Sequence, residues 1–213
     1  MTDHFSNVEQ RVMRYWYTDG LGELIGGGMF MLLGGYFAGQ EFLKANDFVS
    51  GLMQASLVLV LVGGMFFGRW LIKLLKSRLT YPRTGYVEYR VDKQASNMRR
   101  ISVGIIAAVV AAFTIVFSKQ TSYFLDLTVA LTGMLVGLIL IVMQGRRSDL
   151  KRFYVLGGLS FVLGIVLALS GLPNGYGLGA YYGLMGLAYI VSGSLVLRRY
   201  LQENPMPTEH DNE

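Results

Sequence analysis

The chain has 213 residues, of which 53% are hydrophobic and only 15% charged, with a mean hydropathy of +0.43; a soluble domain carries charge on roughly a quarter of its residues, so this composition belongs in lipid. The net charge of +5 would suggest nucleic acid in a soluble protein, but the bases cluster beside apolar stretches, where membrane topology accounts for them, and no nucleic-acid partner is expected. The lack of cysteine excludes disulfides, thiolate nucleophiles, iron–sulfur clusters and cysteine zinc sites.

In chain order, Ser6-Asn7-Val8-Glu9 has the form of a capping box, and Val8, Val12 and then Tyr15 or Trp16 recur at helical spacing. Residues 1–18 are expected to form a short interfacial helix, with an extension of the first span as the equal alternative; Trp16 and Tyr17 suit the headgroup level either way. The first apolar stretch, residues 21–43, is rich in glycine. Gly35 and Gly39 stand four apart, a spacing that lets helices meet closely in lipid. Asp19 lies just before this stretch and Glu23 one turn inside it. Glu23 reads either as an interfacial carboxylate favoured by the helix dipole or as a ligand or ion contact.

A second span, residues 52–71, contains Gly64 and Gly68 and ends among Arg69, Trp70, Lys73, Lys76 and Arg78, which suits a cytoplasmic interface. The loop that follows, residues 74–100, is the only long polar connection. Within it Pro82 presets a type I turn and Gly85 can take a left-handed conformation, predicting a four-residue hairpin loop flanked by Tyr81 and Tyr86. Tyr86, Glu88 and Arg90 then alternate with Val87, Tyr89 and Val91, a short strand pattern. Arg78, Tyr81, Arg83, Gly85, Tyr86 and Arg90 are the candidate surface for a protein partner or anionic lipid; the alternative is a connector resting on the headgroups.

Four more spans complete the count at residues 101–117, 123–143, 153–169 and 179–197. Asp126 is expected at the outer interface and is the second candidate, with Glu23, for a cavity or ion contact. Gly133 and Gly137 lie within the fourth span, Gly157, Gly158 and Gly164 within the fifth, and Gly183, Gly186 and Gly193 within the sixth. Residues 201–213, with two prolines and four acids, are expected to be a disordered tail. Each span is long enough for a hydrocarbon core of roughly 30 Å. Lys44 and Lys119 are the only Lys or Arg residues beyond the odd-numbered spans, so the positive-inside rule puts both termini in the cytoplasm. Basic residues flank the spans in pairs, as in three helical hairpins, although the positive-inside rule alone imposes that rhythm on any six-span chain.

Catalytic signals are missing. His4 and His210 lie in the polar termini, and the chain has neither a phosphate-binding glycine loop nor a nucleophile elbow. No enzyme, cofactor or metal is expected. Thr114, Thr128, Thr132, Ser160, Ser192 and Ser194 read as helix-to-helix or backbone glue. A charge at mid-bilayer costs about 2.5–3.5 kcal/mol, and Glu23, Arg69 and Asp126 all lie near span ends. That weighs against a proton-coupled carrier but leaves a carrier of uncharged substrates open, lined by glycine-interrupted spans one and six.

Asp19-Gly20-Leu21-Gly22-Glu23-Leu24 and Leu79-Thr80-Tyr81-Pro82-Arg83-Thr84-Gly85-Tyr86-Val87 resemble motifs of an uncharacterised group of bacterial integral membrane proteins. The resemblance covers about fifteen residues. It implies a bacterial inner-membrane protein, supplies no activity, and suggests that Glu23 and the Tyr81 to Tyr86 turn are neighbours. The sequence thus predicts an all-α polytopic protein: an interfacial helix over 1–18, a six-span domain over 19–200 and a tail over 201–213. Its expected role is a non-enzymatic membrane module that binds lipids or a partner through the basic loop. A small transporter or channel is the alternative, and homo-oligomerisation is open.

Overall fold

The computed structural model describes residues 17–43, 47–84, 122–172 and 174–205. These residues are helical throughout, with no strand among them. Helix α1 is Leu21–Phe42, α2 is Asp47–Leu75, α3 is Ser122–Ile139, α4 is Lys151–Leu169 and α5 is Asn174–Glu203. Four stretches are long and apolar enough to cross a membrane: Leu21–Phe42, Leu127–Gly145, Lys151–Leu169 and Gly175–Glu203. They correspond to predicted spans one, four, five and six. The second predicted span falls on α2; the third lies outside the described residues, as do the interfacial helix before Tyr17, Lys44 and Lys119.

Helix α1 begins where it does because Gly20 takes a left-handed φ of 71°, which glycine adopts without a steric penalty, and because the Asp19 carboxylate accepts the Leu21 N–H at 3.2 Å. Helix α4 starts after Asp149, also left-handed, and an extended Leu150. At its other end Ser170 folds its hydroxyl and its N–H back onto the Leu167 carbonyl. Along α4 the buried positions are Phe153, Leu156, Gly157, Ser160 and Gly164, a single helical face, while Val155, Val162, Ile165, Val166 and Leu169 are exposed. The most aliphatic face points outward, as lipid requires, and the small residues face inward, where they let helix backbones approach.

Among the described residues two antiparallel pairs dominate the packing, α1 against α5 and α3 against α4. In the first, Gly20, Gly27 and Gly34 meet Gly193, Gly186 and Gly183 in reverse order. A Cβ on Gly27 would stand 2.8 Å from the Gly186 carbonyl oxygen, and one on Gly34 2.8 Å from the Gly183 nitrogen. Gly20, Gly27 and Gly34 step by seven residues, as do Gly193, Gly186 and Gly179, whose carbonyl oxygen would lie 2.9 Å from a Cβ on Gly34, the repeat of a left-handed crossing. Gly35, half of the predicted Gly35/Gly39 motif, instead faces open space; one residue along a helix turns a side chain by about 100°. In the second pair a Cβ on Gly133 would lie 2.6 Å from the Gly164 Cα, and one on Gly137 2.8 Å from the Gly157 carbonyl oxygen.

Among the described residues the most extensive pair joins α1 to α5, far apart in the chain, whereas α3 and α4 are consecutive helices. The two pairs meet over a core of Val129, Leu140, Phe153, Leu156, Tyr181, Met185 and Tyr189. At its centre Ser160, fully buried, donates to the Gly133 carbonyl at 2.8 Å and lies 2.7 Å from the Tyr181 hydroxyl. One serine thereby joins α3, α4 and α5. Helix α2 rests on α1 more lightly, through the Met29 tip against Gly64 and the Ile25 tip near Gly68.

The loop after α2 differs from expectation. Lys76–Thr80 is a π-helical turn and Tyr81–Thr84 a further α-helical turn, so the hairpin loop expected from Tyr81 onward begins as helix. The dihedrals of a type I turn resemble a helical turn, and the Tyr81 N–H reaches back five residues to the Lys76 carbonyl. That wider turn precedes Pro82, which has no N–H to contribute to the helix. Gly85, Tyr86, Arg90 and the strand pattern lie outside the described residues. Helix α5 continues to Glu203, so the first three residues assigned to the disordered tail are helical.

Candidate functional site

The N-termini of α1 and α4 and the C-terminal ends of α2 and α5 gather at one end of the bundle, and there the buried charges collect. Asp19 and Glu23 are four residues apart and so share one side of the start of α1; each is 1% exposed. Asp19 Oδ2 lies 3.1 Å from Lys76 Nζ and accepts the Thr80 hydroxyl at 3.3 Å. Glu23 Oε1 lies 2.7 Å from Arg152 Nε, and Glu23 Oε2 accepts the Ser192 hydroxyl at 2.6 Å. Arg152 also donates from Nη2 to the Tyr17 carbonyl and places its guanidinium over the Phe153 ring, 5.3 Å from the centroid.

Among the described residues each carboxylate has one base, supplied by a different helix: Lys76 from the end of α2, Arg152 from the start of α4. Removing such charges from water costs several kcal/mol per ion, which pairing and added hydrogen bonds offset. The Arg152 Nε hydrogen is not aligned on Glu23 Oε1, so this contact is held by charge more than by directional hydrogen bonding. Its solvent exposure is uneven too, with Arg152 21% and Glu23 2% exposed at their side chains.

Beyond these pairs the same end is basic and open. Arg69, Lys73, Arg78, Arg146, Lys151 and Arg198 are exposed, and Arg199 pairs with Glu203 of its own helix at 2.7 Å. Trp70 and Phe67, exposed beside Arg69, pack ring to ring at the edge of the apolar belt.

The predicted site residues divide. Glu23 is a buried member of an ion pair rather than an interfacial carboxylate served by the helix dipole alone. Arg78 is exposed and Tyr81 half-buried. Arg83 is turned inward, donating from Nη1 to the Leu201 carbonyl at 3.3 Å and the Asn204 carbonyl at 2.7 Å, where it caps the C-terminal end of α5. Asp126 lies near the start of α3, its side chain outside the described residues. The two sequence motifs do meet, through Asp19 and Thr80 rather than through Glu23. Sequence reading passed over Asp19 as part of a site, treated Lys76 and the basic pairs flanking the spans, to which Lys151 and Arg152 belong, as topology markers and Ser192 as glue. The available signal was the four-residue spacing of two acids at the start of an apolar helix, which calls for counter-charges from whichever basic ends lie beside it.

Chemically, the cluster fastens four helices, and its carboxylates are engaged. Among the described residues no group of three His, Asp or Glu side chains converges on a metal position. Comparison with protein-family models, with curated proteins and with solved structures returns no match.

Proposed function

We propose that this protein is a non-enzymatic membrane module of six spans in a bacterial inner membrane, with both termini and the loop over residues 74–100 in the cytoplasm, and that its basic end binds anionic lipid headgroups or an acidic partner surface. The observation that carries this reading is the division of charge at that end: the two buried acids are matched by Lys76 and Arg152, while Arg69, Lys73, Arg78, Arg146, Lys151 and Arg198 stand exposed beside apolar helix ends. Bases in such positions attract anionic headgroups at about 1 kcal/mol each. Arg83, occupied in capping α5, belongs to the frame of this surface rather than to its contact face.

Purification from native membrane, with identification of the lipids and proteins that accompany the chain, tests the reading. A triple Arg78→Ala, Arg146→Ala, Arg198→Ala variant should keep its melting temperature and lose anionic lipid or partner. Equal retention by variant and parent would overturn it. Orientation is checked separately: a cysteine at Lys44 or Lys119 should react from outside the cell, and one at Arg78 only from within.

A second reading, a small transporter or channel, has one observation in its favour. The Glu23–Arg152 pair lies between separate helix pairs at one end of the bundle, where a gate would be needed.

A further inference from the structure

We infer that Arg152 is a releasable latch between two rigid helix pairs, α1/α5 and α3/α4, here called the two halves, and that they open at the basic end when Arg152 leaves Glu23 and the Tyr17 carbonyl. The inference rests on neither functional reading above, since it concerns motion rather than a ligand.

The halves are defined by how their helices touch. Within α1/α5 and within α3/α4, backbone meets backbone at glycine, with carbonyl oxygens and Cα atoms inside 3 Å of where a Cβ would stand. Such seams slide or part only as units, because dense packing has few intermediate arrangements. Between the halves the contacts are of another kind. Side chains meet side chains in the core of Phe153, Tyr181, Met185 and Tyr189, Tyr181 reaches Ser160, and at the basic end Arg152 spans from α4 to Glu23 and to Tyr17.

Two features make Arg152 suited to release. It sits on a long flexible stem and is partly open to solvent, whereas its partner Glu23 is not. Its Nε contact to Glu23 is close but not aligned as a hydrogen bond. Glu23 keeps the Ser192 hydroxyl when Arg152 departs; both belong to the α1/α5 half.

The chain has no native cysteine, so a single Met185→Cys, at a position 0% exposed in the core between the halves, reports opening by its reaction with a water-soluble maleimide. In the otherwise unsubstituted protein the open state is expected at about 0.1–10% and labelling should be slow. Arg152→Gln should raise the labelling rate about tenfold or more, the factor that 1.4 kcal/mol represents, and Glu23→Gln should act in the same direction. Spin labels at Lys151 and Arg198, exposed positions on opposite halves, should show a longer distance component that grows in both variants. Unchanged labelling and distances in folded Arg152→Gln and Glu23→Gln proteins would overturn the latch and leave a static brace. Should Arg152→Gln not fold, the spin-label distances of the otherwise unsubstituted protein decide: a minor longer component sustains the latch, and a single narrow distance overturns it.

Discussion

The α1/α5 seam and the α1/α2 contact are both lined by glycines spaced for close approach, yet they are physically different. At Gly34 a methyl group would strike the Gly183 nitrogen at 2.8 Å and the Gly179 carbonyl at 2.9 Å, atoms that move only if a whole helix moves. At Gly64 it would overlap Met29 Cε more closely still, but that is the free end of a flexible side chain. What a glycine contributes depends on what stands opposite it. In lipid this matters more than in water, because apolar burial adds little to helix association and contact distance decides it.

Substitutions can break or sharpen that contrast, and the largest effect is expected at the seam. Gly34→Leu should prevent α1 and α5 from closing and leave little folded protein, read as loss of a monodisperse species in detergent. Gly137→Leu comes next, since its side chain would press on the Gly157 carbonyl at 2.8 Å and on the Phe161 ring at 2.7 Å. The ring can shift but the carbonyl resists, for a cost of about 1–3 kcal/mol or more, visible as a lower melting temperature. Arg83→Ala removes the hydrogen bonds to Leu201 and Asn204, charge-assisted contacts worth about 1.5–3 kcal/mol when well desolvated and less at this half-buried position. Faster amide exchange at the end of α5 is the specific readout, and unchanged exchange there would remove Arg83 from the frame of the fold.

Tyr181→Phe should cost about 0.6–1.7 kcal/mol, the range of hydrogen bonds between membrane helices. Ser160 keeps its bond to the Gly133 carbonyl, so only the link from α5 is lost. Gly64→Ala should be the mildest change, with Met29 turning aside and the helix gaining up to about 1 kcal/mol in propensity. If Gly64→Ala proved as damaging as a change at Gly34, the distinction between backbone and side-chain neighbours would fail.

Much of the architecture was legible before any coordinates. Four helices stand where apolar runs of sufficient length predict them, because in hydrocarbon a backbone must satisfy its own hydrogen bonds and a helix does so locally. The basic flanks of the spans were equally visible, and their gathering at one end follows from alternating helix direction. At Pro82 the expected type I turn is a turn of helix over Tyr81–Thr84, the two sharing similar dihedral angles; the rest of the expected hairpin lies outside the described residues.

The sequence by itself determined where four long apolar helices lie, that bases flank them, and that Asp19 and Glu23 lie on one side of α1, since these follow from local periodicity and composition. It did not determine partners. That Glu23 takes Arg152 rather than a nearer base, that Asp19 takes Lys76 and Thr80, and that Gly27 and Gly34 rather than Gly35 form the seam depend on how α1 is rotated against α5 and how α4 lies across both. Rotation about a helix axis carries no local signal. It is set by the sum of backbone approaches and charge pairings along whole helices, which exists only once they are packed.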